Sequence, residues 1–238
     1  MPAWFNRLQI IDSTTISLFS NLIFKGVGRH PKTGKKKGGI KVHTNIHANE
    51  FVPSDIKFTS AATNDSFMLK PANYNDGDII AMDRAYIDYA RFEELTNRGV
   101  TYVTKMKKNL VYDTLSDTMY MLPCGLMECR VQVVEFRKHI KGGENIKHKA
   151  RIVTYVDPAK KKAKVISLLT NDMTMEVEDI IDIYRQKWEI ELLFKQLKQN
   201  FPLKYFCGES ANAIKIQIYT GNICPHSKNN PNNHTCFV

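Results

Sequence analysis

The period of the apolar positions changes several times along this chain, and each change predicts an element. From Leu8 to Ile16 the residues are mostly β-branched, which predicts a strand carrying Asp12 near its end. Lys32 to Gly39 has turn composition without a period and predicts a loop. Ile40 to His47 alternates apolar and polar residues, the mark of a strand with one buried face, and a third strand is expected from Asp55 to Ala61. Asp76-Gly77-Asp78 then turns into the continuous apolar run Ile79-Ile80-Ala81-Met82, a central strand buried on both faces that ends on Asp83. Tyr86, Tyr89, Ala90, Phe92 and Leu95 follow at helical spacing with Gly99 at the expected C-cap, and Val100 to Met106 returns to strand.

From Lys107 to Asn171 short β-like runs, Arg130 to Phe136, Ala150 to Val156 and Lys164 to Leu169, are separated by Gly- and Lys-rich turns and read as a β-rich insertion. Val177 to Asn200 carries a long helical pattern stopped by Pro202, with Asp172 as a cap at its approach. From Asn222 the chain is Asn, Pro, His and Cys without period, and disorder is expected there. The organisation is therefore an α/β core in two parts, 1–106 and 172–221, interrupted by the insertion 107–171 and followed by an irregular tail, 222–238.

A chain of 238 residues with 43% hydrophobic composition can bury a substantial core. Lys and Arg outnumber Asp and Glu by 34 to 24, and the net charge of +10 favours an anionic polymer as partner. A solvated basic surface is the plainer account of the same numbers. Charges such as Asp12 and Lys25 break every apolar run well short of the ~18 residues a membrane span needs. With no signal-peptide pattern at the N-terminus either, a cytoplasmic protein with no membrane contact is expected. The five cysteines, Cys124, Cys129, Cys207, Cys224 and Cys236, do not form a disulfide framework pattern and are expected reduced.

The richest chemistry lies on the last long helix. Residues seven apart nearly superimpose in helical projection, so Tyr184, Glu191 and Lys198 share one face, with Lys187 beside them four residues before Glu191. Ile190, Leu193, Phe194, Leu197 and Phe201 cluster about a direction a quarter turn away, which predicts a core face adjacent to a polar stripe. An acid between lysines suits a metal held beside phosphates. Taken alone, the same stripe also reads as a solvated face with an i,i+4 Lys and Glu pair.

In the context Tyr-Arg-Gln-Lys-Trp-Glu-Ile-Glu-Leu-Leu-Phe-Lys-Gln-Leu-Lys, the spacing Tyr184-x2-Lys187-x3-Glu191-x6-Lys198 resembles the Y-R-E-K signature of insertion-sequence-four-type DDE transposases. Asp12 within Ile-Ile-Asp-Ser-Thr-Thr-Ile and Asp83 within Met-Asp-Arg-Ala-Tyr-Ile-Asp are similar to that family's first and second catalytic aspartates, and the likeness runs over about residues 8 to 220. The resemblance implies an RNase H-like mixed sheet flanked by helices, with the β-rich insertion between the second Asp and the Glu. It implies DNA cleavage and strand transfer at element ends, with Asp12, Asp83 and Glu191 holding two Mg²⁺ or Mn²⁺ ions. Such hard cations prefer carboxylate and phosphate oxygens, and a pair of them can serve both the attacking and the departing oxygen of an in-line displacement. Asp12 is expected to bridge the ions, with Asp83 and Glu191 completing one each.

Phosphate contacts carry over to Tyr184, Lys187 and Lys198, and Lys35, Lys36, Lys41, Arg84 and Trp188 join them as candidate DNA-binding side chains. Trp188 also reads as a core anchor of its helix, and the Lys35-Lys36-Lys37 loop also reads as a solvated turn. The family usually has Arg where this chain has Lys187, which loses bidentate geometry, and commonly Gly at Ala85. The implied partner is double-stranded DNA, bound by a homodimer in a synaptic complex. A short lead before the first catalytic strand and the departure from an apolar helix after Tyr219 suggest truncation at both ends. The alternative is accordingly an inactive DNA-binding remnant or regulator.

Three other signals are discounted. Gly28 to Lys35 misses phosphate-loop spacing by one residue. His43 and His47, two pleats apart on one strand face, suit the edge of an active cleft better than zinc, and Cys224, His226, His234 and Cys236 form an accidental four-ligand set.

Overall fold

The computed structural model describes residues 2–17, 39–50, 53–121, 128–139, 145–157, 164–200 and 211–223. Contacts divide the chain into two compact units, Met1–Ile10 with Ser66–Lys187 and Ile11–Asp65 with Trp188–Val238. The architecture is mixed α/β, with a large sheet and few helices among the described residues.

In the first unit, β4 (Ile79–Met82) and β5 (Thr101–Lys105) run parallel, joined by α1 (Tyr89–Asn97); the first strand, β1 (Leu8–Ser17), contributes its opening residues next to β4. All four residues of β4 are buried, as an uninterrupted apolar run requires. Asp88 caps α1 by accepting from Ala90 N at 3.1 Å, and Phe92 and Leu95 form its buried side. The chain of the β-rich segment is hydrogen-bonded into this sheet, because β9 (Lys164–Thr170) pairs antiparallel with β5. The order continues through β8 (Ile146–Asp157), β7 (Glu128–Lys138) and the edge strand β6 (Asp113–Met121), all antiparallel. Asn171, just past β9, accepts from Tyr102 N and donates to Thr96 Oγ1 and Val100 O, each at 2.9 Å, which stitches the end of α1 to the start of β5.

The turn between α1 and β5 depends on Gly99, whose φ of +70° places it in the left-handed region. A Cβ there would run into Asp76 Oδ1, although that carboxylate ends a flexible, exposed side chain and can swing aside. The backbone term remains. Gly99→Ala is expected to lower stability by about 1 kcal/mol or somewhat more, and Gly99→Asn by less, since Asn tolerates this region best among the others. Urea denaturation of the three proteins measures it.

In the second unit, β2 (Gly39–His47) pairs antiparallel with β3 (Pro53–Ser60), and the strand order is β3-β2-β1. Helix α2 (Val177–Asn200) begins in the first unit, where Trp4 Nε1 donates to Asp179 Oδ1 at 2.8 Å, and finishes in the second. Glu178 and Asp179 in its first turn suit the positive end of the helix dipole. Asp172 does not cap it directly; its carboxylate accepts from Thr174 N and Met175 N, an Asx turn one step earlier. α3 (Ala211–Ile223) packs against β3. Among the described residues no helix is long and apolar enough to cross a membrane.

Candidate active site

Asp12 and Asp83 are held by the same local device in different settings. β1 continues to Ser17, so Asp12 lies mid-strand rather than near its end, between buried Ile11 and Thr14, and Ser13 N donates to its Oδ1 at 2.9 Å. Asp83 directly follows the buried β4 in extended backbone and caps the short 3-10 turn Arg84–Tyr86, accepting from Arg84 N at 2.7 Å. A carboxylate tied through one oxygen to the next amide has its rotation about the side-chain bonds restricted. For Asp83, Oδ2 takes no hydrogen bond from the described residues.

Asp83 lines an open cleft of about 530 Å³ together with Arg84, Ala85, Lys107, Lys108, Asn109 and Leu110. The cleft follows from topology. β4 and β5 are parallel in register from Ile79↔Thr101 to Met82↔Thr104, so the chain leaves both strands at one edge and the two exits become neighbours. Three cations against one carboxylate leave this lining at 3 − 1 = +2, suited to a polyanion. By pattern alone Lys107, Lys108 and Asn109 belong to the start of the insertion. The parallel pairing of two strands separated by one helix was the signal that would have placed them beside Asp83.

The polar stripe of α2 is only partly accessible. Glu191 is exposed and Tyr184 half-buried, but Lys187, expected to contact phosphate, retains 4% exposure. At ~100° per residue Lys187 projects about 40° from Glu191 toward buried Ile190 and Phe194, so it falls on the core side of the stripe. Trp188 projects the opposite way and is 54% exposed, which removes its reading as a core anchor. The side chains of Leu193, Leu197 and Lys198, and all of Phe201, Lys35 and Lys36, lie outside the described residues, as do Cys224, His226, His234 and Cys236.

Lys41, expected on DNA, is turned inward, its Nζ 3.2 Å from Asp65 Oδ1 and donating to Thr63 O at 2.7 Å. His43 does not edge a cleft; it is fully buried with Nε2 2.8 Å from Thr59 Oγ1, and burial holds its pKa down to about 4.

The carboxylates divide between the units, Asp12 and Glu191 in one and Asp83 in the other. Each of these side chains offers hard carboxylate oxygens, the donor type that Mg²⁺ and Mn²⁺ prefer over the nitrogen and sulfur favoured by zinc. Neither unit gathers three or more His, Cys, Asp or Glu among its own described residues.

Comparison with known proteins gives this arrangement its context. Residues 3–224 match the family described as the transposase DDE domain. The protein y4zB of Sinorhizobium fredii, named as a transposase, is 25% identical over 216 residues, covering 91% of this chain and 58% of its own. A protein of Synechocystis sp. named as the transposase for insertion sequence element IS4SA is 28% identical, with 88% and 56% covered. The transposase for insertion sequence element IS231C of Bacillus thuringiensis is 20% identical, with 91% and 54% covered. The chain thus spans little more than half the length of these relatives. Its fold is also that of the piggyBac transposase, solved by cryo-EM as a synaptic complex with hairpin DNA, at a TM-score of 0.51, 13% identity, and coverage of 94% of this chain and 48% of that one. The family match takes in Asp12, Asp83 and Glu191 along with almost all of the sequence, and this chain belongs to the transposase DDE domain family.

Proposed function

We propose that this chain carries the RNase H-like catalytic core of an insertion-sequence transposase, with Asp12, Asp83 and Glu191 as the metal-holding carboxylates. The observation that carries the reading is the cleft in which Asp83 stands among Arg84, Lys107 and Lys108. In DNA cleavage a water oxygen bonds to the scissile phosphorus as the P–O3′ bond breaks, leaving a 3′-hydroxyl and a 5′-phosphate; joining repeats the exchange with the 3′-hydroxyl as nucleophile. Divalent ions, when bound, supply Lewis-acid polarisation of the phosphate and activation of the nucleophile. The protein's part is positioning and charge. Asp83, fixed by the Arg84 amide, presents one oriented oxygen, while Arg84, Lys107 and Lys108 balance neighbouring phosphates. Exposed Trp188 offers a stacking surface for a base. The β-rich segment 107–171 is, on this reading, the family's insertion, and holding two element ends together calls for two copies of the chain.

Purified protein incubated with element-end DNA and Mg²⁺ tests the reading by metal-dependent nicking at the end; DNA binding with no metal-dependent cleavage overturns it. The cleft makes a separate prediction. Replacing Lys107 and Lys108 together by Ala is expected to reduce the slope of log K against log salt by about 2 and to weaken binding alike for all DNA sequences. Affinity titrations at three or more salt concentrations measure both, and an unchanged slope removes these lysines from the phosphate path.

A further inference from the structure

We infer that Asp65 is a positioning residue for Asp12, acting through Ser13. The inference rests on the reading of Asp12 as a metal ligand. Ser13 is bonded on two sides: its backbone N donates to Asp12 Oδ1 at 2.9 Å, and its hydroxyl donates to Asp65 Oδ1 at 2.6 Å. The second is a short, charge-assisted bond of the strong kind. Neighbouring residues of a strand point to opposite faces, so Asp65 grips Ser13 from the side away from the Asp12 side chain. It therefore acts on Asp12 only by fixing the peptide between them, and with it the amide that orients the carboxylate.

The other partners of Asp65 explain how a half-buried acid is held there. Lys41 Nζ lies 3.2 Å from the same oxygen and is anchored by Thr63 O at 2.7 Å, so the negative charge is offset inside the unit and adds none toward Asp12. His43 Nδ1 stands 3.8 Å away and, with the ring neutral, leaves that balance unchanged. Ser13, Lys41, Thr63 and Asp65 all belong to the same unit as Asp12. Asp83 has the same amide bond, and among the described residues no such brace accompanies it.

Outer partners that orient a metal ligand are typically worth 10- to 100-fold in metal affinity. The probe is Mn²⁺ alone, titrated into the whole chain and followed by electron paramagnetic resonance, with thermal melting in parallel. Ser13→Ala and Asp65→Asn are each expected to weaken Mn²⁺ binding about tenfold or more, Ser13→Thr to restore it, and the double variant to be no worse than either single, since both remove one path. A purely structural role would lower the melting temperature with Mn²⁺ affinity unchanged, and that result overturns the inference, as do additive losses in the double variant. If Asp65→Asn does not fold, the Ser13 pair carries the test. Asp12→Ala separates the two levels: if it weakens Mn²⁺ binding while the Ser13 and Asp65 variants do not, the metal site stands and the brace falls. If Asp12→Ala has no effect on Mn²⁺, the metal-ligand reading itself falls and takes the brace with it.

Discussion

Asp83→Asn is expected to abolish metal-dependent nicking, by about a thousandfold or more, while leaving the melting temperature within a degree or so of the parent. The two halves of this result have different origins. A carboxylate that holds a catalytic cation contributes several kcal/mol to the transition state, and each ~1.4 kcal/mol is a factor of ten in rate. The amide oxygen of asparagine can still accept from Arg84 N, and Asn caps as well as Asp. The turn at the end of β4 is therefore kept, and only the charge is lost. Asp83 makes no ion pair among the described residues that would be broken. Asp12→Asn should behave alike in activity, and Glu191→Gln, at an exposed position, likewise. Single-turnover nicking of end-containing DNA with thermal unfolding on the same samples measures both halves. Nicking that survives in the Asp83 variant would sink the assignment.

The elements of this fold differ in how strongly the sequence marks them. β4 read cleanly because a strand buried on both faces is an unbroken apolar run, and α2 because 24 residues of helical pattern leave little room for another element. β6 was missed. Its nine residues are an exposed edge in which Leu115, Met119 and Met121 are each more than half exposed, so no buried face writes a period of two into the sequence. β8 starts at Ile146, four residues before the expected Ala150: Lys147 and Lys149 look like turn residues, but their side chains are exposed while His148 between them is buried. α1 starts at Tyr89, after the expected Tyr86, for a related reason. Tyr86 is apolar and buried, but it ends the 3-10 turn that Asp83 caps, and the helix has its own cap at Asp88.

The candidate site divides in the same way. Positions of acids at or along strands are local information, and so Asp12 and Asp83 could be picked out. Which cations accompany them depends on which loops become neighbours. Arg84 was reachable by adjacency, but Lys107 and Lys108 reach the cleft only through the β4–β5 pairing. Lys41 illustrates the converse, since a basic residue on a strand next to a basic loop looks like a DNA contact until Asp65, 24 positions on, is seen to claim it.

Acid should destabilise this protein through two buried histidines, earlier than its carboxylates alone would. His148 is fully buried between Glu93 Oε2, 2.8 Å from Nδ1, and the Tyr102 hydroxyl, 2.6 Å from Nε2. One neutral tautomer satisfies both: Nδ1–H donates to the carboxylate and Nε2 accepts from the phenol, whose own proton is retained because burial raises the Tyr102 pKa. Burial lowers the His148 pKa, outweighing the opposing pull of Glu93. For His43, burial again dominates, against Asp65, which raises the pKa, and with Lys41 and Lys57, which lower it to about 4. The sign follows. Between about 4 and 6.5 the unfolded chain binds a proton that native His43 refuses, and His148, also lowered, acts in the same direction, so stability is whole above 6.5 and is lost as pH falls below it. For His43 the gap corresponds to about 3 kcal/mol at most, and His148 adds to it in the same direction. His148→Phe should flatten its share of the pH dependence, and at pH 7 should cost about 1 to 3 kcal/mol by leaving the Tyr102 hydroxyl without its buried acceptor. Urea denaturation of the parent and His148→Phe at pH 7, 6 and 5 measures both. An identical pH slope in the two proteins would show that His148 takes up its proton in the native state as readily as in the unfolded chain, and would overturn the neutral, buried ring assigned here.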